Sequence, residues 1–153
     1  MIYLDYSATT PVDKRVLESF SKAAMEYPGN PNSIHSLGVK SHELINAATK
    51  QISNILGVLP SEIIYTSGSS ESNNTAIKGI CDKYQNRGKH IITTKFEHSS
   101  IYGPISYLQK HGFEVDFVGT DEFGRVDIEN LKSLIRDDTI LVSITSVNSE
   151  IGI

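Results

Sequence analysis

The chain has 153 residues, of which 39% are hydrophobic, 21% are charged and 8% are aromatic, and this composition is ordinary for one globular domain. Its 14 basic and 18 acidic residues give a net charge of -4 with no basic stripe, which excludes nucleic acid as an expected partner. Its apolar runs are too short to cross a membrane, and its N-terminus has no signal-peptide pattern. Its single cysteine excludes an internal disulfide or a cysteine-based metal cluster. We therefore expect a cytoplasmic protein.

The first third of the chain is predicted to be mostly helical. A short extended piece at 2–4 and a polar turn at 7–11 come before a helix over about 13–25, whose apolar residues recur at helical spacing: Val16, Leu17, Phe20 and Ala24. The two prolines and the glycine within 28–32 end this helix. A longer helix is predicted over 36–56, and Gly57 ends it.

Strands and helices alternate in the rest of the chain. A β-rich run at 62–66 turns into a helix that continues to about Tyr84. The later elements are a strand at 90–94, a helix at 99–110, a strand at 114–118, a short helix at 128–135 and a strand at 140–145. Strands separated by helices of this length are typical of βαβ units, so the sequence predicts an α/β domain with a mostly parallel sheet.

The C-terminal end of the sequence leaves two interpretations open. A wound sheet normally follows a buried strand such as 140–145 with a covering helix, and about three core strands are fewer than usual. The chain is either a small complete α/β protein or the truncated part of a larger one. The uncovered last strand favours truncation and an incomplete sheet.

The most specific local motif is the run Thr66-Ser67-Gly68-Ser69-Ser70, at a predicted strand-to-helix junction. The first turn of a helix has free backbone N–H groups and the positive end of the helix dipole. A glycine and two hydroxyl side chains beside those groups form a cradle that fits a phosphate. The alternative is that Ser69 or Ser70 only caps the helix. Because the motif of a P-loop and that of a dinucleotide site are both absent, a mononucleotide or a cofactor monophosphate fits best.

Two other polar groups follow predicted strands at the same edge of the sheet. His98 follows the strand at 90–94, and Asn148-Ser149 follows the strand at 140–145. Ligands of wound sheets bind at the carboxyl ends of the strands, so these residues and the 66–70 turn are expected at one rim. His98 there could stack on a planar cofactor and transfer protons. Its alternative is a surface or structural role, which we assign to the other histidines: His35, His42, His90 and His111.

Several segments, taken in chain order, resemble NifS-like cysteine desulfurases, which are fold type I pyridoxal-phosphate enzymes of aminotransferase class V. The similarity covers the whole chain, and its segments are Tyr3 to Val12, Gly29 to Pro31 with Ser33 and His35, Thr66 to Asn74, Gly88 to Thr93 with Glu97-His98, and Asp137 to Ile144 with Asn148 and Glu150 to Gly152. The resemblance implies an N-terminal arm at 1–12 and part of the large pyridoxal-phosphate-binding domain, mostly a parallel sheet, at 13–153.

Site roles follow from this resemblance by position. The phosphate-binding loop is Gly68-Ser69-Ser70, where the family more usually has threonine at the second position. His98 corresponds to the histidine that stacks over the cofactor ring and assists proton transfer. Ser149 replaces the second asparagine of an Asn-Asn pair, which contacts the phenolic oxygen of the cofactor. Serine can still donate one hydrogen bond to that oxygen.

Other family residues have no counterpart in the sequence. The lysine that binds the cofactor covalently sits in a Ser-Gly-His-Lys motif, which this chain lacks. The aspartate at the pyridine nitrogen, the arginine for the substrate carboxylate and the cysteine that takes the sulfur are missing too. We interpret Cys81 as a packed residue and Lys95 as a solvated one, so activity of the chain alone is doubtful.

For the parent protein the resemblance implies conversion of L-cysteine to L-alanine with formation of an enzyme persulfide. The sulfur would pass to an iron–sulfur scaffold or to a tRNA-thiolation enzyme, and the protein would be a homodimer. A non-catalytic pyridoxal-phosphate-binding or dimerisation fragment is the alternative. An unrelated nucleotide-binding α/β domain is a further one.

Overall fold

A computed structural model describes residues 2–153, and the chain divides after Tyr65 into two compact units. The first unit contains helix α1 (Lys14–Glu26), helix α2 (Ser36–Leu56) and a short 3-10 helix (Pro60–Glu62). Both helices predicted for this part of the chain are confirmed within one residue at each end. Among residues 2–153, none of the helices is both long enough and apolar enough to pass through a membrane.

Local contacts explain where these two helices begin and end. The Asp13 carboxylate accepts a hydrogen bond from the Arg15 N–H and so caps α1. His35 caps α2 in the same way, because its Nδ1 accepts from the Gly38 N–H at 3.3 Å. Gly57 ends α2 in the left-handed conformation, with φ at 68°, which favours glycine. The structural role predicted for His35 is therefore confirmed.

The apolar stripes of α1 and α2 are found, but they are not buried. No residue of α1 is buried, and in α2 the buried residues are Gly38, Ser41 and Ser53. Phe20 is 69% exposed and Ile55 is 84% exposed. Helical spacing therefore predicted these two elements correctly, although their apolar faces remain accessible to another surface.

The second unit is an α/β structure with three parallel strands. Its elements are helix α3 (Ser69–Tyr84), strand β1 (His90–Thr94), helix α4 (Ser99–Lys110), strand β2 (Glu114–Val118), helix α5 (Ile128–Leu134) and strand β3 (Thr139–Ser143). The strand order is β2-β1-β3, and both strand pairs are parallel. The predicted α/β fold with a parallel sheet is confirmed.

One predicted strand is wrong. Glu62 belongs to the 3-10 helix, and residues 63–66 form no strand in the part of the chain that the structure describes. The run is rich in residues of high β propensity. Propensity produces a strand only where a neighbouring strand offers backbone partners, and the three strands of the sheet pair only with one another.

Helices α3 and α4 cover one face of the sheet. Ile91 in the central strand lies opposite Val115 on one side and Leu141 on the other, so these three side chains point to the same face. They pack with the buried core residues of this unit, which are Ile77, Cys81, Ile105, Leu108 and Phe113. Strand β3 lies on the other side of β1 from β2, so the right-handed connection that parallel strands favour would place α5 on the opposite face.

A buried histidine at the start of β1 contacts side chains of both neighbouring strands. His90 has no exposed surface, and its Nδ1 lies 2.8 Å from Thr139 Oγ1 while its Nε2 lies 3.2 Å from Asp116 Oδ2. The Arg136 N–H donates to the same Thr139 hydroxyl at 2.8 Å. The hydroxyl proton is therefore free to go to Nδ1, and Nε2–H then donates to the carboxylate. His90 is structural, as predicted.

Replacement of Gly88 by alanine is expected to lower the free energy of unfolding by about 1–3 kcal/mol. Gly88 lies just before β1, and a Cβ atom there would overlap the backbone carbonyl of Asp138, which cannot move without displacing β3. Urea unfolding followed by circular dichroism measures the change. The matched control is Gly79→Ala inside α3, where a Cβ meets no atom within 4 Å. That control should be stabilised by about 0.5–1 kcal/mol, and equal effects of the two variants would contradict the prediction.

Candidate functional site

Polar side chains from two strands meet at the carboxyl edge of the sheet. His98 follows β1 and Ser149 follows β3, and both line one cavity of about 450 Å³. Glu97, Thr145 and Asn148 also line it. The sequence predicted that these two strand ends reach one rim, and the structure brings them together there. Gly68, Ser69 and Ser70 do not line this cavity, although a hydrogen bond joins their helix to the helix that follows His98.

The side chain of Glu97 connects two segments of this rim by hydrogen bonds. Its side chain is 9% exposed, and its Oε1 accepts from the Thr94 hydroxyl at 2.9 Å and from the Thr145 N–H at 2.8 Å. These two bonds join the end of β1 to the chain that leaves β3. Burial raises the pKa of the Tyr102 phenol, and the nearby Glu97 carboxylate raises it further. We did not predict this role for Glu97 from the sequence; the only available signal was a carboxylate close behind a buried strand.

The N-terminal end of α3 has unused hydrogen-bond donors. Its N-cap is Gly68, which makes no side-chain bond, and Ser72 is the first residue whose N–H finds a backbone acceptor there, Gly68 O at 3.1 Å. Among the described residues, the Ser69 and Ser70 hydroxyls and the N–H groups of helix residues 69–71 have no partner. Capping by either serine is therefore wrong.

The first acidic residue of this helix is directed away from those free donors. The Glu71 carboxylate accepts from the Ser67 N–H at 2.7 Å and from its hydroxyl at 2.6 Å, and these bonds lower the pKa of Glu71. The Thr66 and Ser72 hydroxyls pair at 2.6 Å. The turn is thus held by Thr66, Ser67, Glu71 and Ser72, while the two serines between them stay free.

His98 caps helix α4. Its Nδ1 accepts from the Ser100 N–H at 3.1 Å and lies 2.8 Å from the Ser100 hydroxyl. A neutral ring that accepts at Nδ1 carries its proton at Nε2. Nε2 has no hydrogen-bond partner in the described chain, and the side chain is exposed. His98 is thus both a helix cap and a free N–H donor at the rim.

The N-terminal turns of α3 and α4 are tied together. The Asn73 side-chain amide donates to the Ser100 hydroxyl at 2.8 Å, and this bond is partly buried. Both helices therefore present their positive ends at the same rim. This contact brings the Gly68-Ser69-Ser70 turn and His98 into one neighbourhood.

Ser149 is exposed, and its hydroxyl has no partner within residues 2–153. The preceding Asn148 shapes the turn: its Oδ1 accepts from the Glu150 and Ile151 N–H groups, and its amide donates to the Phe96 carbonyl at 2.9 Å. Asn148 is thus structural, and Ser149 is the residue of the pair that is left free to bind.

The free donors match the chemistry of a phosphorylated planar cofactor. Two hydroxyls and three unpaired backbone N–H groups at a helix N-terminus suit a phosphate dianion. A free imidazole N–H and a free serine hydroxyl suit neutral or anionic oxygen atoms of the remaining part of the ligand. These residues fit pyridoxal phosphate as the cofactor expected from the resemblance.

Fold and rim together define a class of protein, an open wound α/β domain with two helix N-termini at the carboxyl edge of its sheet. The family model "Aminotransferase class-V" matches residues 2–153, and the chain belongs to this family. The resemblance to NifS-like cysteine desulfurases is confirmed by relatives and solved structures.

Relatives and solved structures agree with this assignment. The chain is 47% identical over 153 residues to a protein named cysteine desulfurase IscS from Neisseria gonorrhoeae, with 99% of this chain and 38% of that protein covered. A solved NifS-like protein is 40% identical with a TM-score of 0.94, covering 97% of this chain and 41% of that one. A structure described as SspA in complex with cysteine is 37% identical with a TM-score of 0.89, covering 97% and 43%. This chain therefore spans about two fifths of the length of these proteins.

Cys81 is packed in the core, as predicted. It has no exposed surface, and burial raises the pKa of its thiol to about 11. A persulfide carrier needs an accessible thiolate, so this cysteine is unsuited to that role. Lys95 is exposed, in agreement with its predicted solvated position.

The Cys81 thiol is expected to resist a disulfide-exchange reagent in the folded protein at pH 8. With a pKa of about 11 the thiolate is roughly one part in a thousand at that pH. Unfolding in urea should expose the thiol and give one equivalent of released reporter. The folded state keeps a proton that the unfolded chain loses, so the free energy of unfolding should fall as the pH rises from 9.0 toward about 11. Full labelling of the folded protein within seconds would contradict the assignment.

Proposed function

We propose that the whole protein containing these residues is a pyridoxal-phosphate-dependent cysteine desulfurase, which converts L-cysteine to L-alanine and leaves the sulfur as an enzyme persulfide. Its acceptor is an iron–sulfur scaffold or a tRNA-thiolation enzyme, and its compartment is the cytoplasm. The observation that carries the proposal is the set of unpaired donors at the start of α3, tied through Asn73 and Ser100 to His98. Membership of the family and the names of the relatives support the same reaction.

In this proposal, Gly68, Ser69 and Ser70 hold the phosphate of the cofactor, and the Ser149 hydroxyl donates to its phenolic oxygen. Residues 13–153 are then part of the cofactor-binding domain, and residues 1–12 form an N-terminal arm. When bound, pyridoxal phosphate supplies an electron sink for the reacting carbon atom of an amino acid. The positive ends of α3 and α4 stabilise the negative charge of the phosphate group.

His98 has two roles in this proposal. Its ring lies against the face of the cofactor, and its Nε2 holds a proton that it can give up and take back during the reaction. The ring can do both because the α4 cap uses only Nδ1. The exposed cavity beside it gives access to the substrate, L-cysteine.

We propose that residues 1–153 alone bind the cofactor but do not catalyse the reaction. No Ser-Gly-His-Lys motif occurs among them, so the covalent attachment of the cofactor and the remaining steps need other residues. A non-catalytic cofactor-binding or dimerisation role is the second candidate, and one observation favours it. The apolar faces of α1 and α2 are exposed, as in a homodimer whose subunits cover each other.

A chimera tests the desulfurase proposal. The matching segment of the Neisseria gonorrhoeae relative is replaced by residues 1–153, and alanine production from L-cysteine is measured with added pyridoxal phosphate. We expect activity, and we expect His98→Gln in the chimera to abolish it. A folded, cofactor-loaded chimera without activity would contradict the proposal.

An experiment on the chain by itself tests whether these residues form only a binding unit or a complete active site. It is mixed with pyridoxal phosphate, treated with borohydride and examined by mass spectrometry. Retained cofactor without a lysine adduct, and without alanine formation, agrees with a binding unit. A lysine adduct together with alanine formation would show a complete active site in these residues.

A further inference from the structure

We propose that Ser100, oriented by Asn73, is a positioning residue that sets both the tautomer and the ring orientation of His98. What His98 does to a ligand rests on the proposed function, but the contacts that position it do not. Ser100 is 8% exposed and lies in the first turn of α4, while Asn73 lies in the second turn of α3. The three side chains form one chain of hydrogen bonds from α3 to the rim.

The direction of these bonds follows from one group that can only donate. The Ser100 backbone N–H points to His98 Nδ1 at 3.1 Å, so Nδ1 of the neutral ring must be an acceptor. The Ser100 hydroxyl, 2.8 Å from the same atom, then donates its single proton there as well. Its oxygen is left to accept, and the group facing it at 2.8 Å must be the NH2 end of Asn73.

This arrangement has a consequence for the free edge of the ring. Two donors from the same residue hold Nδ1, so the ring is restricted in rotation and its proton is kept on Nε2. Nε2 is the atom that stays free at the rim. A backbone N–H alone would leave the ring able to tilt. The serine hydroxyl adds a second point of attachment, and Asn73 decides which way that hydroxyl turns.

The most specific test of this arrangement is to replace the amide donor of Asn73 by a group that can only accept a hydrogen bond. In Asn73→Asp the carboxylate is an acceptor only, so it competes with His98 Nδ1 for the single hydroxyl proton of Ser100. A bond to a charged acceptor is the stronger one. The hydroxyl proton then goes to the carboxylate, and Nδ1 keeps only the Ser100 backbone N–H as a donor. Asn73 and aspartate have nearly the same shape, so packing between α3 and α4 should be preserved.

Nitrogen NMR of the 15N-labelled chain tests the proposal without any cofactor. Long-range 1H–15N spectra are recorded at a pH where histidine side chains are neutral, and His98 is assigned among the five histidines by its loss in His98→Gln. We expect an Nε2–H ring in the wild type. Ser100→Ala and Asn73→Asp should each shift the Nδ1 resonance toward that of an acceptor with fewer donors, because in both variants the hydroxyl no longer donates to Nδ1.

Matched variants keep the test specific. Ser100→Thr retains the hydroxyl and should restore the wild-type signals, while Ser99→Ala removes the neighbouring exposed hydroxyl and should leave them unchanged. Unchanged His98 nitrogen shifts in both Ser100→Ala and Asn73→Asp, in protein that is still folded, would overturn the proposal. If Ser100→Ala does not fold, Asn73→Asp decides alone. A cofactor-loaded chimera without activity would overturn the proposed function but not this result, because the His98 nitrogen shifts are measured without any cofactor.

Discussion

Replacing Ser69 and Ser70 together by alanine is expected to weaken the binding of pyridoxal phosphate by roughly 100-fold or more. Each serine offers a hydroxyl without a protein partner beside the free N–H groups of α3, and a hydrogen bond to a charged group contributes about 1.5–3 kcal/mol. Two such bonds are lost in the double variant. Isothermal titration with pyridoxal phosphate measures the affinity.

Two controls accompany this measurement. Non-phosphorylated pyridoxal should bind the wild type and the double variant equally, because only the phosphate contacts are removed. Ser106→Ala, which removes an exposed hydroxyl in α4, should leave the affinity unchanged. The free energy of unfolding of the double variant should also stay within about 0.5 kcal/mol of the wild type, since neither serine caps α3. A loss of stability without a loss of affinity would instead support a structural role for these serines.

Glu97→Ala should lower the free energy of unfolding by about 3 kcal/mol or more. Its Oε1 accepts from the Thr94 hydroxyl and from the Thr145 N–H, and alanine leaves both donors unsatisfied in a mostly buried site. Each buried donor without a partner costs about 1–3 kcal/mol. Urea unfolding measures the loss. Hydrogen exchange of the Thr145 amide should become faster at the same time, because that N–H loses its acceptor.

Glu97→Gln is the matched variant for this prediction. Both hydrogen bonds end on the same oxygen atom, so the side-chain carbonyl of glutamine can accept both of them. Only the charge is lost, and we expect a cost of about 1 kcal/mol. If glutamine is as harmful as alanine, the negative charge of Glu97 rather than its geometry stabilises the rim.

The elements of the α/β unit are those that short-range patterns can predict. The strands at 90–94 and 114–118 and the helix at 99–110 were each predicted with the bounds that the structure shows. Apolar periodicity and turn residues act within a few positions of one another, so they can be read without tertiary contacts. That His98 and Ser149 reach one cavity also followed from a rule about parallel sheets.

The structure differed from the sequence predictions where an element needed a packing or pairing partner from a distant part of the chain. The run at 62–66 has strand-forming residues but no neighbouring strand, and the stripes of α1 and α2 have helical spacing but no covering surface. Sequence spacing describes a face, and it carries no information on what meets that face.

The candidate site shows the same division between sequence and structure. By itself, the sequence determined the turn that starts α3 at Gly68-Ser69-Ser70 and the histidine after β1, because residue types and helix starts are local properties. Tertiary structure alone decided that the two serines are free rather than capping, that Glu97 braces the rim, and that Asn73 reaches Ser100 across 27 positions of sequence. Hydrogen bonds depend on distance and direction in space, and those are set only when α3 and α4 pack on the same face of the sheet.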